Sequence, residues 1–99
     1  MIHALKIEPN YYDDVKSGNK SFEVRKNDRD FRVGDYLALN ELSDTREEYT
    51  GRAILVKITS IVRDERFCKK GFIIMGIRKC IVTENGDSHT ELDGEIRKI

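Results

Sequence analysis

Between Gly18 and Arg25 the chain reads Gly-Asn-Lys-Ser-Phe-Glu-Val-Arg, and here the polar groups are placed by their spacing. Gly18 allows the chain to leave a helix in the left-handed conformation and to pass close to a ligand, and Lys20 follows at the mouth of the next segment. Strict alternation from Lys20 to Lys26 puts Ser21, Glu23 and Arg25 on one face of a strand and Phe22 and Val24 on the other. The apolar face is expected to pack and the polar face to be presented. Glu23 and Arg25 then stand roughly 7 Å apart along the strand. One carboxylate between two cations has a definite chemistry. A carboxylate accepts from an exocyclic base amine, as Glu does from cytosine N4, and a guanidinium holds a phosphate through two hydrogen bonds. The competing reading is a plain ion pair between Glu23 and Arg25, which contributes about 0–1 kcal/mol when exposed; spacing alone favours that pair.

Each of these groups needs an element to hold it. Ile2 to Ile7 alternates as a short strand and is stopped by Pro9. Pro9 suits a first helical turn, Tyr11, Tyr12 and Val15 share one side, and Ser17-Gly18-Asn19 ends the helix. A helix of about two turns must dock to persist, so one of Tyr11 and Tyr12 is expected in the core. Asn27 to Asp30 and Val33-Gly34-Asp35 are turns that lead into a third strand, Tyr36 to Leu42. After an acidic loop from Ser43 to Glu48, the β-branched run Ala53 to Val62 reads as a central strand. Arg63 to Lys70 is a charged break, and Phe72 to Ile77 is a buried strand that completes the core by about Arg78. Residues 1–78 therefore form one domain, with 79–99 as a C-terminal extension in which Asn85-Gly86 is a favoured two-residue hairpin turn. The predicted fold is α+β and mainly β: a small, closed or nearly closed barrel of about five or six strands with a short helix after the first.

Composition narrows the function classes. Ninety-nine residues leave no room for two cores. Eighteen Lys and Arg cancel eighteen Asp and Glu, so no overall basic field draws the chain onto duplex nucleic acid, and any polyanion site must be local. Apolar runs are far shorter than the roughly 20 residues of a membrane helix, and Met1-Ile2-His3 has no secretory-leader character; we expect a cytoplasmic protein with no membrane contact. Two cysteines are too few for a disulfide scaffold.

The run Gly18-Asn19-Lys20-Ser21-Phe22-Glu23-Val24-Arg25 matches the pattern G-x-K-x-x-E-x-R and resembles the ASCH domain family, whose fold is PUA-like. The helix before the motif, the Val33-Gly34-Asp35 turn and the strand Gly71 to Ile77 fall in that family's order. His3 to Ile7, Phe22 to Arg29 and Tyr49-Thr50-Gly51-Arg52 look like a small bacterial and phage branch of uncharacterised ASCH-like proteins. The resemblance covers about residues 1 to 78. It implies a barrel with a cleft beside the motif and binding of RNA, single-stranded nucleic acid or a nucleoside-like ligand. Gly18, Lys20, Glu23 and Arg25 would line the cleft, and Lys26, Arg29 and Arg52 would track a phosphate backbone past it. Neutralising about three phosphates gives a log–log salt slope near −2 for a single strand, at roughly −0.7 per contact.

A hydrolytic reading is weaker. Some very small ASCH proteins hydrolyse the acyl amide of N4-acetylcytidine with the motif lysine, a threonine three positions later and a distant glutamate. Lys20 matches the lysine, but Glu23 stands at the threonine position and supplies no hydroxyl nucleophile. Ser21 would have to substitute, with Lys20 as base. Ribonuclease activity is proposed for other members. A protein-interaction module is the third class, resting on the acidic loop and the extension.

Other candidates read as structural. His3, His89, Cys68 and Cys80 have no metal-ligand spacing, and no cofactor or metal is expected. His3 is expected in the barrel wall and Cys68 as an unreactive thiol. Tyr49 is the best placed of the tyrosines to stack on an unpaired base, and Arg63 to Lys70 reads as a solvated charge run. The expected state is a monomer.

Overall fold

The computed structural model describes the backbone of residues 1–92 and 95–98 and the side chains of residues 1–87. Its elements are β1 (Ile2–Ile7), α1 (Pro9–Ser17), β2 (Phe22–Lys26), β3 (Tyr36–Leu42), β4 (Tyr49–Val62), β5 (Phe72–Glu84), β6 (Asp87–Leu92) and β7 (Glu95–Lys98). The fold is α+β and mainly β, with β1 to β5 curled into a half-barrel and one short helix after the first strand.

The sheet runs β1-β3-β4-β5-β6-β7, with β2 against β5 off that path. β1 lies parallel to β3, from Ile2↔Tyr36 to Ile7↔Glu41; β4 lies antiparallel to both β3 and β5 and is central, as its β-branched run predicts. β5 serves two partners along its other edge. Phe72 to Gly76 pairs with β2, and Ile81 to Glu84 pairs with β6. β5 thus runs unbroken through position 78, where periodicity ends the core, because residues 79–83 continue the ladder with Ala53 to Val56 of β4. Asn85 (φ 53°) and Gly86 (φ 80°) make the tight turn into β6, left-handed at both central positions as a two-residue hairpin requires. The expected strand from Thr90 to Ile96 falls partly on residues 93 and 94, outside the described residues.

α1 begins at Pro9 and stops at Gly18, which takes φ 86°. The Gly18 N–H donates to Val15 O and the Lys20 N–H to Asp14 O (3.0 Å), so the helix stop itself sets where Lys20 emerges. Tyr12 and Val15 bury the inner face of the helix, and Tyr11 stays outside. Tyr12 and Val15 share one core cluster with Leu5, Ile7, Leu39 and Met75 of the sheet and with Phe31.

One feature departs from the sequence reading, and a second decides between the closed and the nearly closed barrel that it allowed. On β2 the faces are reversed: Glu23 is 3 % exposed, whereas Phe22 and Val24 are 45 % and 49 % exposed. The inner face of β2 looks onto the junction of β1 and α1, where a carboxylate finds two cationic donors; a buried charge is tolerated when it is paired and hydrogen-bonded. The barrel is also open on one side. No backbone ladder joins β1 to β2 among the described residues. Side chains bridge that seam instead: Arg25 Nη2 donates to Lys6 O and Arg29 Nη1 to Ala4 O, each at 2.8 Å.

Candidate functional site

Lys20, Glu23 and Arg25 converge at the top of the seam. Lys20 Nζ donates to Glu23 Oε1 at 2.7 Å and Arg25 Nε to Glu23 Oε2 at 2.9 Å, so each carboxylate oxygen has one cationic partner. A carboxylate oxygen carries two lone pairs, so each oxygen keeps acceptor capacity beyond its cationic partner. Lys20 Nζ lies 5.2 Å from the ring centroids of both Tyr11 and Phe22, between an aromatic from α1 and one from β2. Around this trio is a cleft of about 580 Å³, walled by the end of β1, by Tyr11 and by β2. Its volume lies within the roughly 300–1,000 Å³ of small-ligand sites.

Below it along the seam, Arg25, Lys26, Arg29 and Tyr49 border a second depression of about 460 Å³ against Ala4 and Phe31. Four of the expected phosphate and stacking residues therefore meet here, beside the cleft, and Tyr49 is 56 % exposed. On the other flank, Gly18 and Ser21 line a groove of about 410 Å³ with Arg78 and Lys79, and Lys20 borders both. Ser21 precedes β2 and opens into this groove, so it does not share the Glu23 cleft as strand alternation suggests.

Arg52 is placed elsewhere. Its Nε and Nη2 donate to the two oxygens of Glu41 at 2.8 and 2.5 Å, its Nη1 reaches Glu84 at 3.2 Å, and its guanidinium stacks over Tyr12 at 4.4 Å. Thr50 Oγ1 donates to Glu41, and Tyr12 Oη and Lys16 Nζ donate to Glu84 at 3.0 and 2.5 Å. This network ties α1 to β3, β4 and β5. The Arg52 hydrogen bond holds Glu41 below the usual carboxylate range, and Glu41 in turn raises Arg52. Burial opposes ionisation of Glu84, but the Lys16 and Tyr12 hydrogen bonds outweigh it and lower its pKa. Burial and the contact with Glu84 together raise Tyr12. Sequence reading missed Glu41 and Glu84. Glu41 carried a signal, since β3 alternation places it on the face of Leu37 and Leu39, where an unpaired acid has no place; Glu84 carried none.

His3 is buried in the barrel wall: its Nε2 lies 2.9 Å from Asp35 Oδ2, and its ring packs edge-on against Phe31. That hydrogen bond lowers the pKa of Asp35. Cys68 is buried, with its thiol donating to Val62 O. Among the described residues no cluster of His, Cys, Asp and Glu can hold a metal ion, and no helix is long and apolar enough to cross a membrane.

Fold and site together define a small mainly-β half-barrel with a buried carboxylate clamped by two cations at an open strand seam. The chain belongs to the family described as a domain of unknown function, DUF3850, whose model matches residues 2–77 and so includes both strands of the seam. It is also similar to an uncharacterised 12.9 kDa protein in the GpA 3′ region of Escherichia phage P2, with 38 % identity over 60 residues, 61 % of this chain. The match spans about half, 53 %, of that relative's length.

Proposed function

We propose that the protein binds single-stranded RNA, or a nucleotide-like ligand of the same chemistry, in the Lys20/Glu23/Arg25 cleft, as a cytoplasmic ASCH-like, PUA-like domain. The observation that carries this reading is Glu23, almost fully buried at the floor of a cleft yet retaining free lone pairs. Ion pairs that only stabilise a fold have no need of a cavity above them. A base amine donates to Glu23, Lys20 and Arg25 offer their remaining donors to phosphate or carbonyl oxygens, and the rings of Tyr11 and Phe22 flank the entry. Arg29 and Tyr49 extend the path along the seam. The hydrolytic alternative has less support, since Ser21 opens into a different groove and the threonine position holds an acid already bonded to Lys20.

Fluorescence anisotropy with labelled single-stranded RNA, single-stranded DNA and free nucleotides tests it at two salt concentrations. Binding should show a log–log salt slope of about −2 and fall roughly tenfold or more in Lys20→Ala and Arg25→Ala, the equivalent of about 1.4 kcal/mol or more. Wild type and both variants behaving alike would remove the cleft from consideration.

A further inference from the structure

The reversal of β2 leaves an apolar strip on the outside of the sheet. Residues directly opposed on paired strands project to the same side, so the register Val24↔Ile74↔Val62 and Lys26↔Phe72 puts these side chains on one outer face. Val24 and Val62 are 49 % and 41 % exposed, and Phe67, from the loop before β5, is 71 % exposed. Val24, Phe67, Phe72 and Ile74 surround a depression of about 400 Å³.

Cations accompany the rings. Arg66 lies 5.4 Å from the Phe67 centroid and Lys69 5.5 Å from that of Phe72, with Lys26 directly across from Phe72 and Lys70 next to Lys69. Asp64 pairs with Arg66, and Glu65 adjoins it, yet the lysines keep the rim basic. Val24 borders both this depression and the cleft, and Phe22, two residues back along β2, stands at the cleft's edge beside Lys20. The outer face and the cleft are therefore continuous around β2.

We infer that a single strand seated in the cleft continues over this outer face, its flanking bases stacking on Phe67 and Phe72 and its phosphates meeting Lys26, Lys69 and Lys70. The inference rests on the proposed function and extends it from a one-nucleotide pocket to a multi-nucleotide path. Exposed aromatic side chains interleaved with cations are the means by which single strands are held without sequence preference. Each of the two rings has a basic group beside it, and a polyanion with π-faces uses both.

The protein contains no tryptophan, so Phe67→Trp introduces a single reporter at a position too exposed to endanger folding. Its emission is followed during titration with oligouridylates from the mononucleotide up to about eight nucleotides, within the ~4–16-nucleotide site sizes of single-strand-binding folds. Quenching by the longer oligomers only, with Phe67→Ala weakening them roughly 5- to 150-fold (about 1–3 kcal/mol per lost stack) and leaving mononucleotide affinity unchanged, is the expected result. If the oligomers bind, are lost in Lys20→Ala, and neither quench the reporter nor respond to Phe67→Ala, the outer path is refuted while the cleft stands. Quenching that survives Lys20→Ala/Arg25→Ala removes the cleft and with it the continuous path. Self-association in sedimentation, abolished by Phe67→Ala without any oligomer binding, would assign the face to protein contact and overturn the inference.

Discussion

Glu23 and Glu41 are both almost fully buried carboxylates held by arginine, yet their surroundings differ. Over Glu23 there is open space; over Glu41 there is Arg52 stacked on Tyr12, with Glu84 behind it. The second acid is therefore a fastening for α1. Glu41→Gln removes the two-point carboxylate partner of Arg52 and leaves it only the longer contacts with Glu84 and Asp13, which should cost about 2–3 kcal/mol at neutral pH, less than breaking a fully buried pair because Arg52 is one-third exposed. Glu41 and Glu84 both have folded-state pKa values below the ordinary 4.5. The stability they contribute is thus fully present above that value and is lost as pH falls through their lowered folded-state values. Urea denaturation followed by circular dichroism from pH 7 into the acid range should show wild type losing stability below about pH 4.5 and Glu41→Gln losing less over the same interval. Parallel curves would contradict the assignment. At this scale the sequence put Glu23 and Arg25 on one strand face with Lys20 at its mouth, but it turned that face outward and set Ser21 on it, whereas Ser21 precedes β2 and opens into the other groove. Period-two alternation is symmetric; it separates two faces without saying which is inside, and hydrophobicity, the usual arbiter, is overridden on β2 by the paired acid.

Among the elements, the seam is the unusual construction. An edge strand offers unpaired carbonyls, and β1 has two of them, at Ala4 and Lys6, occupied by the guanidinium groups of Arg29 and Arg25. These arginines do for the barrel what a ladder would do, and they are also the cations beside the cleft. Arg29→Ala should loosen β1 from the β2 side by about 1 kcal/mol, seen as amide exchange roughly fivefold faster in β1 with β4 unchanged. Arg32→Ala is the control, because among the described residues the Arg32 side chain bonds Asp30 alone and both are exposed. Exchange in β1 that matches wild type in Arg29→Ala would mean that the bridge carries no load. Strand and helix positions were largely legible, since Pro9, Gly18 and the β-branched run of β4 punctuate the chain. The parallel pairing of β1 with β3 was not, because it joins segments more than thirty residues apart through contacts that no local pattern records.

For the molecule as a whole, the question is where the folding unit ends. Periodicity places its end near Arg78, and the family model stops at residue 77. The sheet goes further: residues 79–83 of β5 supply the partners of Ala53 to Val56, Val82 packs against the core, and Glu84 holds Tyr12, Lys16 and Arg52. A chain ending at Arg78 leaves the first half of β4 with an open edge and α1 without one of its two anchoring acids. A chain ending at Gly86 keeps both. The longer truncation product should unfold in a single cooperative transition, whereas the shorter should lose cooperativity or fall in Tm by roughly 10 °C or more, since each ~1 kcal/mol lost shifts a domain of this size by about 4–8 °C. Thermal melts of the two products side by side decide it. A 1–78 chain melting as sharply and as high as 1–86 would show that the unit closes at the predicted boundary, and that the Glu84 network fastens the helix without being needed to hold it.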